Sequence, residues 1–168
     1  MLLEPQRRQF LGELPPGEPG TSATLQLMRR VVNQYKRDPA VRETALSLIA
    51  GLRPKDWRGE IKALFEFVRD HIRYTRDIRG LETLQIPTVT LDNSAGDCDD
   101  KSTLLAALLE SIGHPTRFVA VGYSKPGAYS HVYVETKLGA SWLPLDATVQ
   151  RPLGWSPRPS VSRLVVHN

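Results

Sequence analysis

One cysteine is all that 168 residues provide. A lone Cys98 excludes an intramolecular disulfide and a zinc site built from several thiolates, so it is either an inert buried thiol or a chemical one. Long apolar runs are missing too. Nothing approaches the roughly 18 residues of a membrane span, and the opening MLLEPQRRQFLGELPPGEPG lacks the uninterrupted apolar core of a signal peptide. The expectation is a cytoplasmic protein with no membrane partner. No aromatic-interleaved basic stripe or nucleic-acid motif accompanies the net charge of +4, whose excess lies in residues 1–80, with 15 Lys/Arg against 10 Asp/Glu. That excess reads as solvated surface, and nucleic acid is not an expected partner. Internal repeats are absent.

What is present suits one domain with appendages. Hydrophobic residues make up 40% and charged residues 24%, ordinary values for a soluble globular chain. Residues 1–20 hold four prolines and three glycines with little periodicity and read as an extended arm. Residues 21–149 read as the domain and 150–168 as a proline-rich tail with an edge strand at Val161 to Val166. Leu25, Met28, Val31, Val32 and Tyr35 recur at helical spacing from Thr21 or Ser22, and Asp38-Pro39 closes that helix and caps the next, which stops at Gly51. A third helix has Asp56 as its cap and Trp57, Ile61, Leu64, Phe65, Val68 and Ile72 on one face.

Residues 75–96 are turn-rich and are expected to form a loop or short strand. After Gly96-Asp97, the positions Leu104, Leu105, Leu108, Leu109 and Ile112 predict an amphipathic helix ended by Gly113, with Cys98 in its first turn. Strand-like segments follow at Arg117 to Tyr123, Ser130 to Lys137 and Ser141 to Leu145, the last two joined as a hairpin through Leu138-Gly139.

A thiol attacks as thiolate, and the N–H groups of a helix amino terminus favour that charge. Asp97, Asp99 and Asp100 oppose it. A histidine beside the sulfur would resolve the conflict, and among four candidates His131 begins a strand in which alternation sets His131, Tyr133 and Glu135 on one face. That face is expected to meet the cysteine helix. Asp146, across the hairpin, could accept the imidazole N–H and hold the tautomer that activates the thiol.

Three blocks resemble the transglutaminase-like (papain-like) cysteine enzymes. They are Gly96-Asp97-Cys98-Asp99-Asp100 opening a leucine-rich helix, Ser130-His131-Val132-Tyr133-Val134, and Trp142-Leu143-Pro144-Leu145-Asp146-Ala147-Thr148. With His71-Ile72-Arg73-Tyr74, the resemblance covers 57–148. It implies an α+β papain-like core, the cysteine helix packed on an antiparallel sheet, with additional amino-terminal helices. It also implies a Cys98, His131, Asp146 triad that attacks a peptide or protein amide through a thioester, as in proteases, deamidases and transglutaminases. An upstream glutamine serves the oxyanion in papain-like enzymes, which makes Gln85 the candidate here.

Two further expectations follow from the resemblance. Calcium at Asp97, Asp99 and Asp100 is suggested by some bacterial relatives, against the reading of solvated helix-start acids and no cofactor, since no EF-hand loop is present to complete six to eight oxygens. The alternative to an enzyme is a non-catalytic assembly module, for example a bacteriophage structural protein located in the virion, making protein contacts through the two arms. Substrate choice is expected to lie in the loops Asp77 to Ala95 and Ser124 to Tyr129.

Overall fold

The computed structural model describes residues 8–10, 14–76 and 83–168. Helix α1 (Glu18–Tyr35) starts three residues before Thr21, with Pro19 in its first turn, where a missing N–H costs nothing. It buries Leu25, Met28, Val31 and Val32. Asp38 accepts from the N–H groups of Ala40 (2.9 Å) and Val41 (3.4 Å) to open α2 (Pro39–Ile49). Asp56 does the same for α3 (Trp57–His71) through Gly59 N, at 3.0 Å. Ile61, Leu64, Phe65 and Val68 turn inward on α3, whereas Trp57 stays 56% exposed, outside the apolar face assigned to it.

The segment expected as a loop or short strand holds short strands and, beyond that expectation, a helix. Strand β2 (Arg73–Tyr74) leaves α3, β3 (Thr83–Gln85) follows, Pro87 begins a short α4 (Pro87–Asn93), and β4 (Ala95–Gly96) runs parallel to β2. Residues 77–82 of the expected specificity loop lie outside the described residues. Three arm residues, β1 (Arg8–Phe10), pair antiparallel with β3.

Helix α5 (Cys98–Ser111) is the centre of the molecule. It packs against α1, α2, α3 and α4 on one side and β5 and β6 on the other, so residues 100–109 are all buried. The expected amphipathic helix is therefore buried all round, which the polar Lys101, Ser102 and Thr103 disguise in the sequence. Against α5 lies an antiparallel sheet in the order β7 (Ser141–Leu145), β6 (His131–Leu138), β5 (Thr116–Gly122), β8 (Ser162–His167). The expected edge strand is β8, beside β5.

Alternation on β6 is as expected, but its assignment to the helix is reversed. Val132 and Val134, with Phe118 and Ala120 of β5, join the core around α5. Tyr133 belongs to a second cluster with Val119 and Val121. The apolar valines take the helix side because burial there removes more water-exposed hydrocarbon than burial of a phenol and a carboxylate.

Candidate active site

Cys98 is the first residue of α5, and a reciprocal capping box fixes it. Asp97 Oδ1 accepts from Asp100 N (3.0 Å), and Asp100 Oδ2 accepts from Asp97 N (3.2 Å). Gly96 is required for this approach, since a Cβ there would lie 2.6 Å from Asp100 Cβ. Asp100 also accepts from Gln85 N and Gln85 Nε2, each at 2.7 Å. The second Nε2 hydrogen of Gln85 goes to Ala95 O (3.2 Å), and its Oε1 accepts from Asn93 (2.9 Å). Gln85 thus spends both amide hydrogens on the loop ahead of the cysteine.

The Cys98 thiol donates to Asp99 Oδ1 at 3.6 Å. Burial first, then the charges of Asp99 and Asp97, push its pKa well above the ordinary thiol value. The opposing pull is the backbone N–H of Val132, which hydrogen-bonds the sulfur. Ser102, one turn along α5, donates to Val132 O at 3.4 Å. The cysteine helix therefore grips both polar atoms of the residue that follows His131.

His131 opens β6 at a point that β7, paired only from Val134 onward, no longer covers. Its Nε2 lies 2.8 Å from Asp146 Oδ2. The ring also stacks along Tyr133, with centroids 6.3 Å apart. Asp146 is 2% exposed, and Thr148 holds its other oxygen through N (3.0 Å) and Oγ1 (2.6 Å). Burial pushes the Asp146 carboxyl up, but the hydrogen bond and charge of His131, with both Thr148 bonds, outweigh it and leave the pKa below the ordinary value. An ionised Asp146 accepts the Nε2 proton, leaving Nδ1 as the ring's acceptor. The other histidines lie elsewhere: His114 on Glu60 (2.7 Å), His71 stacked on Phe67, His167 edge-on to Trp142.

Sequence reasoning missed Lys101, three residues after Cys98 and so on the same side of α5. It is 2% exposed, and Nζ donates to Ile72 O (2.5 Å) and Arg69 O (3.4 Å) at the carboxyl end of α3. Burial lowers its pKa to about 8 against the pull of Asp146 and Asp70. The helical offset was the available signal; a lysine in a helix is ordinarily solvated, and that hid it.

The acidic run is engaged in local hydrogen bonds. Both Asp100 oxygens face N–H donors, Asp97 caps the helix, Asp99 accepts a hydrogen bond from the thiol, and no group of three or more His, Cys, Asp or Glu able to hold a metal occurs among the described residues. No described helix is long and apolar enough to cross a membrane.

A buried helix headed by cysteine, packed on an antiparallel sheet that carries a hydrogen-bonded histidine and aspartate, defines a papain-like architecture. Within that class the chain belongs to the transglutaminase-like superfamily, whose family model matches residues 42–147. Solved structures share the fold. A cysteine-protease candidate from Cytophaga hutchinsonii is 19% identical with a TM-score of 0.53, over 68% of this chain and 38% of that one. A protease candidate from Parabacteroides distasonis is 12% identical with a TM-score of 0.62, over 89% and 30%. Calcium-bound LapG from Legionella pneumophila is 20% identical with a TM-score of 0.54, over 81% and 79%. The chain thus spans 38% and 30% of the length of the first two. Comparison with curated protein sequences returns no match.

Proposed function

We propose that the protein is a thiol amidohydrolase or acyltransferase that opens peptide or protein amide bonds through a Cys98 thioester. The observation that carries this reading is the 2.8 Å bond between His131 Nε2 and buried Asp146, on the strand whose next residue, Val132, hydrogen-bonds the Cys98 sulfur. With Nε2 committed, Nδ1 takes the thiol proton. The sulfur attacks the carbonyl carbon, the imidazolium protonates the departing amine, and water or a second amine releases the acyl group. Asp146 stays ionised and orients the ring. The reading places the enzyme in the cytoplasm, where a lone thiol stays reduced.

A second reading, a non-catalytic assembly module that keeps the fold, draws on the raised pKa of the thiol. Alkylation separates the two. Under the enzymatic reading, iodoacetamide modifies Cys98 faster than free cysteine at pH 6 to 7, and His131→Ala abolishes the advantage. A rate no faster than free cysteine, unchanged by that substitution, leaves the assembly module.

A further inference from the structure

An acyl transfer through Cys98 needs donors for the oxyanion. The backbone N–H of Cys98, the first residue of α5, supplies one. Gln85 does not supply the second, because both of its amide hydrogens are held by Asp100 and Ala95. The strand that runs beside the cysteine loop offers another group. Tyr74 pairs with Gly96, two residues ahead of Cys98, and Thr75 N donates to Gly96 O at 2.9 Å. From the other side, Lys101 Nζ holds Ile72 O, two residues ahead of Tyr74, so α5 fixes the entrance of β2 and β4 fixes its register. Tyr74 is nonetheless 44% exposed, unusual for a large ring locked so closely to a buried helix.

We propose that Tyr74 is a catalytic residue whose phenol hydroxyl donates to the oxyanion formed when Cys98 attacks a carbonyl. The inference rests on the thiol-enzyme reading above. In the step concerned, the Sγ–C bond forms and the carbonyl π pair moves onto oxygen, where the Tyr74 O–H and a first-turn N–H of α5 receive it. The pair then returns as the C–N bond breaks, and the amine leaves with the proton carried by His131. Burial, followed by Cys98 and Asp97, raises the phenol pKa against the influence of Arg76, so the hydroxyl keeps the proton it must donate.

The test uses the full chain and two reagents. Para-nitrophenyl acetate acylates the sulfur through an oxyanion and releases nitrophenolate; iodoacetamide alkylates it by displacement at a saturated carbon and needs no oxyanion. Tyr74→Phe deletes one oxygen and keeps the ring. The expected result is at least about a tenfold loss of acylation rate, with the alkylation rate and the melting temperature unchanged. Acylation of Tyr74→Phe at the wild-type rate overturns the assignment, as does an equal fall in both rates, which would make Tyr74 a support of the thiol. A wild-type protein that neither alkylates faster than free cysteine nor acylates overturns the thiol-enzyme reading and this assignment with it.

Discussion

At the scale of single residues, the site contains a conflict between the sulfur and its nearest carboxylate. Asp99 acts on Cys98 twice, as a charge and as acceptor of the thiol proton, and both actions favour the protonated sulfur. Asp99→Asn removes the charge and is expected to move the pH profile of iodoacetamide alkylation to lower pH by about one unit, about a tenfold faster reaction at pH 7. A profile that stays in place would mean that burial and Asp97 hold the thiol without Asp99. Asp146 works in the other direction. Its folded-state pKa lies below that of the unfolded chain, so its contribution to stability is full above the unfolded value near about 4 and is lost as pH falls through the folded value. Asp146→Asn should therefore flatten the acid side of the stability curve below about pH 4, read by urea unfolding at a series of pH values. An unaltered acid limb would show that other carboxylates govern it. Both effects depend on which atoms touch: residue types and spacing single out Cys98, His131 and Asp146, but not that the thiol donates to Asp99 or that His131 Nε2 faces Asp146.

At the scale of elements, legibility followed burial pattern. The first three helices could be read because one face of each is apolar and Asp38 and Asp56 cap two of them. Helix α4 was invisible: seven residues, with Thr88, Val89 and Thr90 β-branched, carry more strand propensity than helix. The face of β6 was misjudged because alternation gives two sets of side chains and no sign of which set meets the helix. Lys101 joins two elements, α5 to the end of α3, and its titration reports on their contact. Its folded-state pKa of about 8 lies below the ordinary 10.5, so the folded state resists protonation there. Its contribution is present above the unfolded value and is lost as pH falls to about 8, a difference on the order of 3 kcal/mol. The raised pKa of Cys98 acts oppositely, stabilising below its unfolded value and fading above it, so the Lys101 slope is best seen in Cys98→Ala. In that background unfolding free energy should rise from pH 8 to 9.5, and adding Lys101→Met should remove the rise. A slope that survives the methionine would locate it elsewhere. Gly96→Ala belongs to the same scale: the new methyl has no room beside Asp100, and a cost of about 1–3 kcal/mol in urea unfolding is expected, with slower alkylation of Cys98.

At the scale of the whole molecule, the sheet holds His131 next to Val132, whose N–H reaches the Cys98 sulfur, with Asp146 just beyond β7, and its outer strands need anchoring. Glu135 does this from the centre of the face turned away from α5. It is 5% exposed, accepts from Arg117 Nε at 2.7 Å and from Arg163 Nη2 at 3.2 Å, so one carboxylate links β6 to both β5 and β8. The two links are not equal. Arg117 is stacked over Trp142, its carbon 4.3 Å from the ring centroid, and its side chain is 17% exposed, which keeps solvent out of the pair. Arg163 is 45% exposed, and its bond is screened accordingly. The proline-rich tail, expected as an appendage, thus ends in a strand held by ladder hydrogen bonds along β5 and assisted by one weak ion pair. Glu135→Ala leaves the Arg117 guanidinium without its partner and should cost about 3 kcal/mol, whereas Arg163→Ala should cost less than about 1 kcal/mol. Urea unfolding of the two single variants and their double measures the coupling directly. Equal losses from both substitutions would mean that β8 depends on the ion pair and not on its ladder, and would make the attachment of the tail, hence the rigidity of the sheet behind His131, sensitive to salt.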